Sequence, residues 1–198
     1  MKKIKNIERL TSLKFINIYR ITYELQNGKE YKYLVASRRD LNSLECKKHK
    51  VDAVRVLPYI KKGSKTYVVL IKEYRYAIGK YIYGTPAGLI DEGETSLQAV
   101  IRELKEEIGA KVINCKQVQK ASYSSAGFSD ETIECFEAEV EIAYAQALDS
   151  AEDITIKLVE LNELPHFVNT HEFGLQSALQ LEAFYYEQKY NKIIGEKV

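Results

Sequence analysis

Glu103, Glu106 and Glu107 crowd into one short stretch, "GLIDEGETSLQAVIRELKEEIGA", residues 88 to 110. Read as a helix turning about 100° per residue, that stretch sets the three carboxylates on adjoining positions of one side. Like charges at i,i+3 and i,i+4 destabilise a helix by roughly a few tenths of a kcal/mol per pair, so the cluster is a cost with no structural return of its own. A divalent cation reverses that sign. Hard carboxylate oxygens on a rigid face, with room left for water and phosphate oxygens, suit magnesium or manganese. Zinc is not indicated, because the three cysteines, Cys46, Cys115 and Cys135, have no CxxC spacing and no histidine cluster accompanies them. The bland alternative is a solvated acidic face.

The elements that must hold these groups are legible around them. Thr95 followed by Gln98 forms a capping box, Glu92 and Glu94 lie near the positive end of the helix dipole, and Gly109 supplies a left-handed stop. Leu97, Val100, Ile101, Leu104 and Ile108 make the stripe expected to face the core. Residues 14–36 alternate apolar and polar about Asn27-Gly28, which predicts a β-hairpin. The charged stretch 37–50 breaks the pattern, so an N-terminal β unit is expected over 1–45 and the main domain over 46–198. "DAVRVLPYI" and "TYVVLIKEYRY" read as strands joined by a turn at 62–64, and a glycine-rich loop then leads to the helix. "VINCKQVQKASY", "ETIECFEAEVEIAYA" and "ITIKLVEL" read as further strands, and 173–190 as a closing helix, which makes the class α+β.

Composition restricts the partners. In 198 residues, 29 Lys and Arg nearly cancel 28 Asp and Glu, and a net charge of +1 gives no field for nucleic acid or an acidic membrane. The basic start lacks a signal-peptide core, and "YVVLI" is far too short to cross a bilayer. With an odd cysteine count and no disulfide pattern, the expected compartment is the cytoplasm.

The complete spacing is Gly88, five residues, Glu94, seven residues, Arg102-Glu103-Leu104, one residue, Glu106-Glu107, one residue, Gly109. It resembles the Nudix box, GX5EX7REUXEEXGU with U aliphatic. Seven fixed identities at roughly 7% each match by chance on the order of once in 10^8 windows, which sets the bland reading aside. Ala110 is smaller than usual at the last position, a change for packing rather than chemistry. The resemblance implies an α/β/α sandwich on a mixed sheet and Mg2+ (or Mn2+) dependent hydrolysis of a nucleoside diphosphate linked to another moiety. By the same resemblance, Glu103, Glu106 and Glu107 are metal ligands and catalytic groups, the Ala87 carbonyl is a further ligand, and Glu94 and Arg102 form an orienting ion pair.

Outside the box the chain resembles the ADP-ribose pyrophosphatase branch. "LIKEYRYAIGKYIYGTPAGLIDEGE" (70–94) is similar to "RQYR…WELPAGLID.GE", which implies a phosphate contact for Arg75; Gly84 stands where that branch has glutamate. "YSSAGFSDE" (123–131) is similar to a substrate loop "YPSPGFSDE", implying substrate contacts for Gly127, Phe128 and Glu131, with Ala126 in place of a marker proline. "LDSAEDITI" (148–156) resembles an acidic loop carrying the base or another metal ligand, and Glu152 is the match; Asp149 and then a helix glutamate follow as alternatives. Arg38 and Arg39 follow the hairpin as phosphate or adenine contacts, Arg39 foremost. The branch implies a homodimer through the N-terminal unit, and AMP and ribose 5-phosphate as products from ADP-ribose. Another pyrophosphate substrate, or a sensor that binds without cleaving, are the competing readings.

Overall fold

The computed structural model describes residues 3–41 and 50–195. Cys46, the boundary expected after residue 45 and most of the basic "KKHK" stretch lie outside the described residues. The chain forms two compact units, Met1–Asp52 with Ala121–Ile133, and Ala53–Lys120 with Glu134–Val198.

In the first unit, β1 (Lys3–Arg9), β2 (Asn17–Glu24) and β3 (Glu30–Ser37) form an antiparallel sheet in the order β1-β2-β3. The β2–β3 hairpin turns at Asn27-Gly28, with Gly28 at φ 76° and its N–H donating to the Leu25 carbonyl at 2.9 Å. β1 was not expected from the sequence. It is an edge strand, "KIKNIER", whose exposure lets charged residues stand where alternation would otherwise show.

The second unit contains β4 (Ala53–Lys62), β5 (Lys65–Arg75), β6 (Lys80–Gly84), β7 (Ala87–Leu89) and α1 (Ser96–Ile108). β8 (Ala110–Tyr123) and β9 (Thr132–Ile142), whose end and start respectively belong to the first unit, follow with β10 (Ile154–Glu160), α2 (Leu164–Thr170) and α3 (Leu175–Gly195). The main path of the sheet is β10-β5-β4-β9-β8. β4 pairs with β5 only at Tyr59–Lys62; nearer its start, Ala53–Arg55 pair with β7, while Ile71–Arg75 of β5 pair with β6. The sheet therefore forks, and the fork is framed by β4 and β7 on one side and by β5 and β6 on the other.

Strand alternation delivers a core to each face. Val54, Val56, Val69 and Ile71 pack with Ala99, Val100, Leu104 and Ile108 of α1. Leu57, Val68 and Leu70 point the other way, to Leu164 of α2 and to Leu181 and Phe184 of α3. Burial on both faces explains the unbroken apolar run in β5. This is the mixed-sheet α+β sandwich expected. Among the described residues no helix is long and apolar enough to cross a membrane.

α1 starts with the full Thr95–Gln98 capping box and ends at Gly109, φ 62°, whose N–H reaches Lys105 O at 3.1 Å. A Cβ at Gly109 would meet the Tyr144 carbonyl oxygen at 2.1 Å. Gly109→Ala is expected to destabilise the fold by more than the roughly 1–2 kcal/mol of the left-handed conformation alone, because backbone must also move; a lowered melting temperature on thermal denaturation checks it. The expected core stripe needs correction. Leu97 and Ile101 are exposed, and the buried face consists of Ala99, Val100, Glu103, Leu104, Glu107 and Ile108. The helix is rotated so that two glutamates, rather than two aliphatics, face inward.

Candidate active site

Glu103 and Glu107 are only 7% and 4% exposed, while Glu106 is half-buried at their side. A turn before the helix, Gly88 in β7 lets the Glu103 carboxylate lie directly against the backbone: a Cβ at Gly88 would sit 1.7 Å from Glu103 Oε1. Glu107 Oε2 is enclosed and has no hydrogen-bond partner.

Arg102 organises the surround. Its Nε and Nη2 donate to the two oxygens of Glu94 at 3.0 and 2.9 Å, and Nη2 also reaches the Leu89 carbonyl at 2.8 Å. Nη1 donates to Glu103 at 2.6 Å and to Glu106 at 3.2 Å. The bidentate pair holds the Glu94 carboxyl below its ordinary range, chiefly through the Arg102 hydrogen bonds, while Glu94 also caps the Asp91 N–H at 3.0 Å. Glu94 and Arg102 thus tie the loop before α1 to the middle of the helix.

Burial dominates the inner carboxylates. It pushes the Glu103 carboxyl up against the opposing pull of Arg102. It pushes Glu107 well above the usual range, and the charges of Glu103, Glu73 and Glu152 add to the shift. Glu152, in the loop before β10, thereby acts on both helix carboxylates, and its own turn is closed by Asp149 N–H to Glu152 Oε2 at 2.9 Å.

Residues 49–183 match the profile of the NUDIX domain. The chain belongs to the Nudix family. A Caenorhabditis elegans protein named as a nudix hydrolase is 38% identical over 124 residues, which is 59% of this chain and 55% of that protein. The ADP-ribose pyrophosphatase of Bacillus subtilis is 30% identical, covering 78% of this chain and 75% of its own. A solved structure of an ADP compounds hydrolase has the same fold, with TM-score 0.72, 20% identity and 95% of each chain covered. This Nudix chain is a hydrolase resembling the ADP-ribose pyrophosphatase branch, an enzyme of the pyrophosphatase kind.

Among the described residues of this Nudix protein no three His, Cys, Asp or Glu side chains are already drawn together as metal ligands. Arg102 Nη1 instead bridges Glu103 and Glu106. The groups nonetheless fit a hard divalent cation. They offer carboxylate oxygens only, one of them enclosed and unpartnered on Glu107, and the missing Cβ of Gly88 leaves room for the Glu103 carboxylate. A cation competes with a proton at Glu107. Because that carboxyl is raised, divalent affinity is expected to climb as pH rises from the ordinary carboxylate range through the raised value, measurable as the Mn2+-induced thermal shift across buffers. The sign for the metal-free protein is opposite: Glu107 contributes stability that is present below its unfolded pKa and is lost as pH rises through its folded one.

Arg75 ends β5 near Glu73, Nε to Oε2 3.2 Å, and Ala87 opens β7 opposite Arg55 of β4. The other candidates belong to the first unit. Arg39 donates to the Asp130 carbonyl at 2.9 Å and pairs with Asp130 at 2.8 Å and with Asp52. Asp52 in turn accepts from the Thr132 N–H at 2.7 Å. Arg38 pairs with Glu131 at 3.2 Å, Tyr33 donates to the Gly127 carbonyl, and Ala36 N–H donates to the Phe128 carbonyl at 2.9 Å. Arg39 therefore fastens the 123–131 loop to the N-terminal sheet. Phe128 itself is 59% exposed, so it packs in no core.

Two residues went unread in the sequence. Glu73, whose carboxyl burial raises, shares a strand face with Arg75, two positions along, and that parity was the available signal. Arg55 is a lone charge inside the apolar "DAVRVLPYI", a signal of the same strength.

Proposed function

We propose that the chain hydrolyses the pyrophosphate bond of ADP-ribose or a similar nucleoside diphosphate sugar, with Mg2+, giving AMP and ribose 5-phosphate from ADP-ribose. The observation that carries this reading is the inward pair Glu103 and Glu107, with the Glu103 carboxylate seated against Gly88, the residue after Ala87. Relatives named as ADP-ribose pyrophosphatases in Bacillus subtilis and Saccharomyces cerevisiae support the substrate class. Glu103, Glu106, Glu107, Glu152 and the Ala87 carbonyl would hold the cation. When bound, it would neutralise phosphate oxygens and acidify water.

The chain's own groups supply the rest. Water oxygen attacks one phosphorus, the bond from that phosphorus to the bridging oxygen breaks, and the second phosphate leaves with the bridging oxygen. Glu152 takes the proton of the water. Its charge is among those that raise both Glu107 and Glu103, which favours it over Asp149. Arg75 donates to a phosphate oxygen, and Arg102 with Glu94 fixes the helix register. Gly127, Phe128 and Glu131, in the loop that Arg39 holds within the first unit, are proposed as nucleotide contacts. We place the enzyme in the cytoplasm as a homodimer assembled through its N-terminal unit.

The test is turnover of a panel of ADP-ribose, other sugar nucleotides, dinucleoside polyphosphates and nucleoside triphosphates with magnesium, products being separated by chromatography. ADP-ribose is expected to give the highest kcat/KM. Tight binding without turnover would mark a sensor instead. A second reading, another sugar nucleotide, is favoured by Gly84: the absent side chain leaves open the space beside Ser177 Oγ, 3.4 Å from a Cβ placed there.

A further inference from the structure

The acidic loop before β10 is fastened on both sides of Glu152. Towards α1, the Ala147 N–H donates to the Glu106 carbonyl at 2.9 Å, and the Gln146 side-chain amide donates to the Glu107 carbonyl at 2.6 Å and to the Ile154 carbonyl at 3.5 Å. Towards the β5–β6 hairpin, the Tyr76 hydroxyl donates to the Ala151 carbonyl at 3.0 Å and the Tyr81 hydroxyl donates to the Asp153 carboxylate. The Tyr74 N–H adds a bond to the Asp153 carbonyl at 3.2 Å. The residues immediately before and after Glu152 are thus each held by a phenol.

Burial of apolar surface does not account for these tyrosines, because Tyr76 is 72% exposed and Tyr81 43%. Each sets its ring edge-on to Tyr74, with centroids 5.2 Å apart in both pairs. Strand parity puts Tyr74 and its partner Tyr81 on the face of β5 opposite Ile71, Glu73 and Arg75, and Ile71 lies in the α1 core. Asp153 meets the tyrosine face, whereas Ile154 enters the α1 core. The alternation returns Glu152 to the α1 side, where it is half-buried between exposed neighbours and its charge is among those that raise Glu103 and Glu107. A carboxylate on a loop otherwise samples many positions, and fixing both of its neighbours restricts it to few.

We propose that Tyr76 and Tyr81 are positioning residues that set Glu152 against the carboxylates of α1. This rests on the reading of Glu152 as base or cation ligand in a nucleoside diphosphate hydrolase, and adds to it two residues that act through the loop. Tyr76 directly follows Arg75, and the N–H groups of Ile78 and Gly79 close the turn on the Arg75 carbonyl at 3.1 and 2.9 Å. One hairpin therefore carries the proposed phosphate contact on one face and the clamp on the acidic loop on the other.

The test removes both hydroxyls and keeps both rings, in Tyr76→Phe combined with Tyr81→Phe, and measures turnover of ADP-ribose with magnesium. A fall in kcat by about 10- to 100-fold is expected, the scale on which misplaced reacting groups lose rate. KM is expected to hold within about twofold, since no substrate contact is removed. In a Glu152→Gln background the same pair should change kcat by no more than about twofold, because hydroxyls acting through Glu152 have nothing left to position. Equal kcat in the wild type and the double variant overturns the proposal. So does the same fold loss in both backgrounds, which would make the tyrosines a general tie of the hairpin. Backbone amide exchange in the metal-free protein gives a readout apart from turnover: faster exchange over residues 149–153 with α1 unchanged is expected, and unchanged exchange over 149–153 overturns the clamp. If the wild type turns over no nucleoside diphosphate sugar, the functional reading fails, while the exchange comparison still decides whether the two phenols hold Glu152 in place.

Discussion

Glu107→Gln is expected to abolish turnover, by on the order of 10^2- to 10^4-fold in kcat, the range that a positioned acid–base or charge-bearing group contributes. The substitution keeps the shape of a side chain that is 4% exposed, so its packing is conserved. It removes the anion that burial and the charges of Glu103, Glu73 and Glu152 already disfavour. The metal-free protein should therefore become more stable while the enzyme dies. In a chain of this size the melting temperature rises by about 2–4 °C for each kcal/mol of relieved repulsion. Stability and activity moving in opposite directions identify a group kept against folding for the sake of function. Steady-state kinetics in magnesium and a melting curve in chelator check both halves. A variant that loses activity and stability together would instead make Glu107 a structural carboxylate.

The box was legible because its residues are bound to one local element. Capping, helix length and the stop at Gly109 depend on neighbours in sequence, and the three glutamates follow from helical spacing. The rotation of that helix was not legible. Leu97 and Ile101 look like core residues at helical period, yet they are exposed, because α1 turns Glu103 and Glu107 inward, Glu103 against Gly88 of β7. Hydrophobic period assigns the apolar side to the core by default, and a site that buries charge defeats the default. Short elements were lost for a related reason: β6 and β7, five and three residues long, are separated by Thr85-Pro86 and read as loop. α2, seven residues with proline near its start, carries too few turns to show a period. Arg39 was read as a ligand contact from its position after the hairpin. Its engagement by Asp130 and Asp52 depends on residues 91 and 13 positions away, a pairing that only the folded unit supplies.

Gly88→Ala separates positioning from folding at the same site. Its Cβ would fall 1.7 Å from Glu103 Oε1 and 2.1 Å from its carboxyl carbon, and nothing else lies closer. The obstructed atoms are the end of a flexible side chain, so the backbone need not move. Glu103 swings away instead, and Gly88 is not among the glycines with positive φ, which leaves the alanine conformationally unstrained. The expected stability change is accordingly small, within about 1 kcal/mol. The functional change is large. Displacing one carboxylate by about 1 Å or more costs on the order of 10^2-fold in rate when reacting groups must be held to near-attack geometry. The half-saturating magnesium concentration should rise in parallel, since Glu103 leaves its seat against Gly88. A melting temperature near the wild type together with a raised magnesium requirement is the expected result. Full activity at ordinary magnesium would show that Glu103 works from another rotamer, and the cradle at Gly88 would then have no part in holding the cation.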